Sequence, residues 1–158
     1  MELSHLDAAG NARMVDVSAK SATERIAVAT GAVHTTAEVI DLVRRDGLPK
    51  GDALATARIA GIMGAKRTPE LIPLCHPIAL SGVTVELDLT GDTVRITATA
   101  KTTDRTGVEM EALTAVAVAG LTVHDMIKAV DPAAVLGEVR LERKEGGRSG
   151  TWTRPVGR

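Results

Sequence analysis

The segment that most constrains this chain runs from Thr106 to Lys128, TGVEMEALTAVAVAGLTVHDMIK. It reads as one long helix, apolar nearly all round, with Glu109 and Glu111 at its start and Asp125 and Lys128 near its end. Such a helix is not at home on the surface of a small monomer, where one face would be polar. Its middle, Ala112 to Gly120, is mostly Ala and Val, so a partner helix or sheet can come close to its backbone. At a rise of ~1.5 Å and a turn of ~100° per residue, Glu111 and Asp125 lie about 21 Å apart and within about 40° of the same face. A compact site cannot use both ends of one copy unless the ligand is long or a second chain lays its own helix end against the first.

The remaining elements fall on either side of this helix. Residues 1–24 have no clear period and read as an extended arm, with at most a short strand at Met14 to Val17. RIAVATGAVH, residues 25–34, suits a strand. Thr35 with Glu38 forms a capping box opening a helix, and Gly47 closes it. Asp52 can cap a second helix whose Leu54, Ile59 and Ile62 face inward, with Gly61 and Gly64 permitting close packing. Thr68-Pro69-Glu70 starts a short turn that Pro73 ends, and Pro77 biases His76 towards extended backbone in the LCHP loop. Val83, Val85, Leu87 and Leu89, then Val94, Ile96, Ala98 and Ala100, alternate with polar residues around Thr90-Gly91-Asp92, which is a hairpin. After the long helix, ended by Asp131-Pro132, residues 138–144 read as a last strand.

The order β-α-α-β-β-α-β predicts an α+β, ferredoxin-like split β-α-β sandwich: a four-stranded antiparallel sheet with its helices on one face. The length of 158 residues fits a single domain, 1–158, with residues 145–158 as a flexible Gly-rich C-terminal tail. The other sheet face needs a cover, and neighbouring subunits are the simplest one.

Composition narrows the function classes. One aromatic residue, Trp152, and a net charge of −1 leave neither a stacking platform nor a basic footprint, so no nucleic-acid partner is expected. No apolar run approaches the ~18 residues that span a bilayer and the N-terminus lacks a signal pattern, so the expected compartment is cytoplasmic, without a membrane partner. The single Cys75 rules out an intrachain disulfide, and His76 lacks companions at ligand spacing, so neither metal nor cofactor is expected.

Individually, the polar residues admit plain readings. Lys50 can be a solvated loop lysine, and Asp125 with Lys128 an ordinary i,i+3 ion pair, although a buried aspartate would hold a lysine for acid/base work. Thr106-x-x-Glu109 is itself a capping box, which accounts for Glu109; nothing comparable accounts for Glu111. Arg25, Lys144 and Arg148, the last two around Gly146-Gly147, make a fair phosphate clamp or a disordered tail.

Together they are specific. MVDVSAK, KGD at 50–52, ARIAGIMGAKRTPELIPLCHP at 57–77, TGVEMEALTA at 106–115, HDMIKAVD at 124–131 and GGRSG at 146–150 resemble the cyclic pyranopterin monophosphate synthases of molybdenum cofactor biosynthesis, across almost the whole chain. The resemblance implies a ferredoxin-like homohexamer, a trimer of dimers with interfacial active sites. It implies a lyase that converts (8S)-3′,8-cyclo-7,8-dihydroguanosine 5′-triphosphate to cyclic pyranopterin monophosphate and pyrophosphate. The family's catalytic residues fall on Asp125, Lys128 and Lys50. Its substrate contacts fall on Leu74, Cys75, His76, Glu109, Met110 and Glu111, with Arg25 and Lys144 as triphosphate cations and Arg148 beside them. His124 and Ile127 flank the pair where the family commonly has tyrosine and cysteine. The competing class is a non-catalytic oligomeric guanine-nucleotide sensor, which needs the cations but not Asp125 with Lys128.

Overall fold

A computed structural model describes residues 4–158, so the first three residues of the expected arm lie outside it. The chain runs β1 (Thr23–His34), α1 (Ala37–Arg44), α2 (Ala53–Lys66), α3 (Thr68–Leu71), β2 (Leu80–Thr90), β3 (Thr93–Asp104), α4 (Glu109–Ile127), β4 (Val135–Glu145) and β5 (Trp152–Thr153). The sheet order is β2-β3-β1-β4-β5, every pairing antiparallel. The four long strands give the expected ferredoxin-like α+β sheet. A fifth, two-residue strand is added because the segment after β4 turns back and pairs Trp152 and Thr153 with Lys144 and Arg143.

Alternation places Val85, Leu87, Val94, Ile96, Ala98 and Ala100 of the hairpin, with Ala27, Ala29 and Val33 of β1, in one buried layer under the helices. The opposite face, expected to need a cover, is polar where β2 and β3 form it. Thr84, Glu86, Asp88, Arg95, Lys101 and Thr103 stand exposed on it, so this face is already suited to water.

Helix α4 fills the centre. Among the described residues it is one helix with the length and mean hydropathy, 1.3, of a membrane-crossing segment, against the expectation that no apolar run nears that size. Its Ala112, Ala115, Val116, Ala119 and Ile127 are fully buried in the core it shares with the sheet and α2, so its hydropathy serves packing. The α2–α4 contact is close because a Cβ on Gly61 would lie 2.9 Å from the Ala115 carbonyl oxygen, and one on Gly64 2.8 Å from Val118 Cγ2.

Several local expectations shift. The side chain that caps α1 is Thr36, accepting from the Val39 N–H at 3.3 Å; Thr35 donates its hydroxyl to Asp131 instead. The left-handed residue after α1 is Asp46 (φ 51), while Gly47 donates its N–H to the Leu42 carbonyl. Ile59 points outward at 61% exposure, because α2 is apolar on more than the face it buries. No strand forms at Met14 to Val17. Asp52 caps α2 as its position suggests, accepting from the Ala55 N–H at 3.0 Å.

Candidate functional site

The candidate residues gather at the two ends of α4. At its N-terminal end lies a cavity of about 670 Å³ lined by Lys20, Arg25, Glu109, Lys144, Glu145 and Arg148, with Gly146 and Gly147 forming part of the wall. Four cations thus face two carboxylates, a balance that favours a polyanion. Arg25 comes from the start of β1, where its Nε donates to the Asp104 carbonyl at 3.1 Å across the β1–β3 ladder. Lys144 comes from the neighbouring strand, paired with Ala27. The loop after β4 returns so tightly that a Cβ on Gly147 would run into the Arg25 guanidinium and one on Gly146 into the Glu24 carbonyl. Both glycines also have positive φ, 94° and 74°, a region other residues rarely adopt.

Glu109 does not close a capping box. Val108 is the N-cap, no side chain bonds the first turn, and the Glu109 carboxylate lies 3.3 Å from Lys144 Nζ. Its partner is a residue of β4 that lines the same cavity, which removes the plain reading that T-x-x-E offered.

Glu111, two residues on, is 3% exposed. Burial is the main reason that its carboxyl is pushed up to about 7, with the Glu109 charge adding to the effect. The Cys75 thiol is raised by burial and by the Glu111 charge, which marks the LCHP loop as this carboxyl's neighbour. His76 is held by the arm: its Nε2 donates to the Val15 carbonyl at 2.6 Å. Leu74 and Met110 are exposed apolar side chains, at 36% and 37%.

At the C-terminal end, Asp125 bridges two lysines. Lys50 Nζ sits 2.8 Å from its Oδ2 and Lys128 Nζ 2.8 Å from its Oδ1. The hydrogen bonds from Lys128 and then Lys50 hold the Asp125 carboxyl down at about 2. The aspartate is half exposed, not buried as a carboxylate on an apolar helix suggests, because it lies on the outer face of a last turn whose Met126 and Ile127 are the residues packed inward. Lys50 reaches it from the loop between α1 and α2, a contact across 75 residues that no local pattern signals.

The structure therefore joins Lys50 with Asp125 and Lys128, and joins Arg25, Glu109, Lys144 and Arg148 around the cavity, but it does not bring the two groups together in one chain. Lys20, which sequence reasoning left inside a quoted motif without a role, belongs to the cavity lining.

A split β-α-β sheet carrying a cationic cavity at one end of its core helix and a lysine–aspartate–lysine set at the other defines an α+β enzyme for a small polyanionic ligand. The model of the MoaC family matches residues 14–147, and the chain belongs to that family. It is 66% identical over 152 residues to the cyclic pyranopterin monophosphate synthase of Streptomyces coelicolor, covering 96% of this chain and 89% of that protein. It is 62% identical over 153 residues to the synthase of Rhodospirillum rubrum, covering 96% and 92%. With cyclic pyranopterin monophosphate synthase 2 of Mycobacterium tuberculosis the identity is 61% over 153 residues, covering 97% and 92%.

Proposed function

We propose that the chain catalyses the lyase-type rearrangement of (8S)-3′,8-cyclo-7,8-dihydroguanosine 5′-triphosphate to cyclic pyranopterin monophosphate and pyrophosphate, a step of molybdenum cofactor biosynthesis. The observation that carries the mechanism is Asp125 bridging Lys50 and Lys128 at 2.8 Å each. Opening the purine-derived ring and rebuilding it as a pterin takes several proton transfers, for which two positioned ammonium groups serve as acid and, once deprotonated, as base. Asp125, held ionised, accepts from both and stabilises their charged forms.

Closing the cyclic phosphate brings a hydroxyl to the α-phosphorus while negative charge builds on the departing pyrophosphate. Arg25, Lys144 and Arg148, joined by Lys20, stabilise that charge. Glu109 and Glu111 receive the guanine edge. With its carboxyl near 7, Glu111 can accept a hydrogen bond in one protonation state and donate one in the other. Leu74, Cys75 and Met110 flank the base.

The two groups stand at opposite ends of a helix that is about 28 Å long at ~1.5 Å per residue. One substrate is served by both when the N-terminal end of α4 from one copy meets the C-terminal end from another. The active site then lies between subunits, and the family resemblance supplies the rest of the reading: a homohexamer built as a trimer of dimers, working in the cytoplasm.

The test is to incubate the purified protein with the cyclised dihydro-GTP substrate and follow product and pyrophosphate. Wild type forms both, Lys128→Ala forms neither, and Asp125→Asn still binds substrate without turnover. Wild-type protein that is folded and oligomeric yet binds substrate unchanged would put the sensor reading in place of this one.

A further inference from the structure

The side chains of Lys50, Asp125 and Lys128 are 44%, 51% and 53% exposed. Exposed ion pairs hold long side chains weakly, since water screens the attraction and the side chains keep their freedom. Chemistry that depends on their mutual placement must take that placement from the backbone beneath them. Lys128 caps α4 with helical dihedrals (φ −58, ψ −24), and the chain then turns, the N–H groups of Val130 and Asp131 both donating to the Ile127 carbonyl at 2.9 and 3.0 Å. The carboxylate of Asp131 uses its two oxygens separately. Oδ2 accepts the Thr35 hydroxyl at 2.6 Å and Oδ1 accepts the Ala133 N–H at 3.1 Å. Thr35 is in turn fixed by its own N–H, which donates to the Asp92 carbonyl in the hairpin turn at 2.8 Å. The next residue, Thr36, caps α1, and the chain leaving α1 passes the buried Leu48 before it reaches Lys50.

We infer that Thr35 and Asp131 are positioning residues for the Lys50–Asp125–Lys128 set: their hydroxyl–carboxylate bond ties the turn that follows Lys128 to the β1–α1 junction, from which α1 leads to the loop that carries Lys50. The bond is partly buried and short, and beside the Lys50–Asp125 pair itself it joins the turn after Lys128 to the residue that precedes the α1 N-cap. It explains why Thr35 does not cap α1 although an equally suitable threonine pattern begins there. Asparagine cannot replace Asp131 fully, since one amide oxygen cannot serve both donors in the same geometry. This inference deepens the synthase reading and rests on it for its catalytic consequence.

The experiment compares Thr35→Val, Thr35→Ser and Asp131→Asn with wild type in the full-length, assembled protein, with two readouts. The first is the carboxyl carbon resonance of Asp125, which needs no substrate. At about pH 3.5 wild-type Asp125 remains ionised, whereas in Thr35→Val and Asp131→Asn it is substantially protonated because its lysines have drifted, and Thr35→Ser restores the wild-type signal. The second is steady-state turnover, where kcat falls about tenfold in Thr35→Val with KM changed by less than about twofold, and Thr35→Ser recovers it. Unchanged Asp125 titration in both disrupted variants overturns the inference, as does a serine variant that fails to restore it. If Thr35→Val does not fold, Asp131→Asn carries the same comparison. A wild type that does not turn substrate over sinks the synthase reading and leaves the titration result to decide the positioning claim on its own.

Discussion

Glu111 is the residue whose protonation the fold most directly controls. Its folded carboxyl titrates at about 7, above the ordinary 4.5, because burial penalises its charge. The sign follows: the folded state holds this proton more tightly than the unfolded chain, so the contribution is fully present below about 4.5 and is lost as pH rises through about 7. Glu111→Gln keeps the shape and removes the titration. Thermal unfolding at about pH 5 and about pH 8 should show wild type losing more stability than the variant between the two, and parallel losses would contradict the assignment. At this scale the sequence was only partly legible. T-x-x-E at 106–109 matched a local motif, yet the partner that matters to Glu109, Lys144, lies on another strand. Likewise Thr35 and Thr36 are alike in pattern, and the carboxylate that separates their roles is 96 residues away. Arg25, Lys144 and Arg148 were grouped because a glycine-rich segment with cations is a recognisable phosphate wall, and the fold does bring them to one cavity.

Among the elements, the contact of α2 with α4 depends on two glycines that differ in what faces them. A Cβ on Gly61 meets a backbone oxygen, that of Ala115, at 2.9 Å, whereas one on Gly64 meets the side chain of Val118. Replacing helical glycine by alanine gains up to about 1 kcal/mol of propensity, while overpacking costs about 1–3 kcal/mol. Val118 also presents its Cβ, fixed to the backbone, at 2.9 Å, so Gly61→Ala and Gly64→Ala should both lower the urea midpoint. An unchanged midpoint in either variant would mean that the helices separate freely. Elements were the most legible level, because strict alternation in the hairpin and a long apolar run in α4 each admit few alternatives. Their edges were not. β1 and β4 extend beyond the expected residues because each strand is paired along its length, and Ile59 was misplaced because α2 has little contrast between its faces.

The whole molecule presents a sheet with one apolar face under helices and one polar face of threonines and charges. Association therefore needs a reason other than covering an apolar sheet, and the split site supplies one. The cationic cavity and the Lys50–Asp125–Lys128 set occupy opposite ends of α4, and in the proposed arrangement each copy carries two halves that belong to different sites. Reading the helix length from sequence already separated Glu111 from Asp125; what sequence could not supply was Lys50 joining the far end through a loop. The direct test of this arrangement is subunit complementation. Arg25→Ala chains and Lys128→Ala chains, each inactive alone, are co-expressed and the mixed oligomers assayed for cyclic pyranopterin monophosphate. Random mixing leaves about a quarter of the sites with both halves intact when each site is shared between two copies. Recovery of about a quarter of wild-type activity is the predicted result, and mixed oligomers no more active than the separate variants would contradict the shared site.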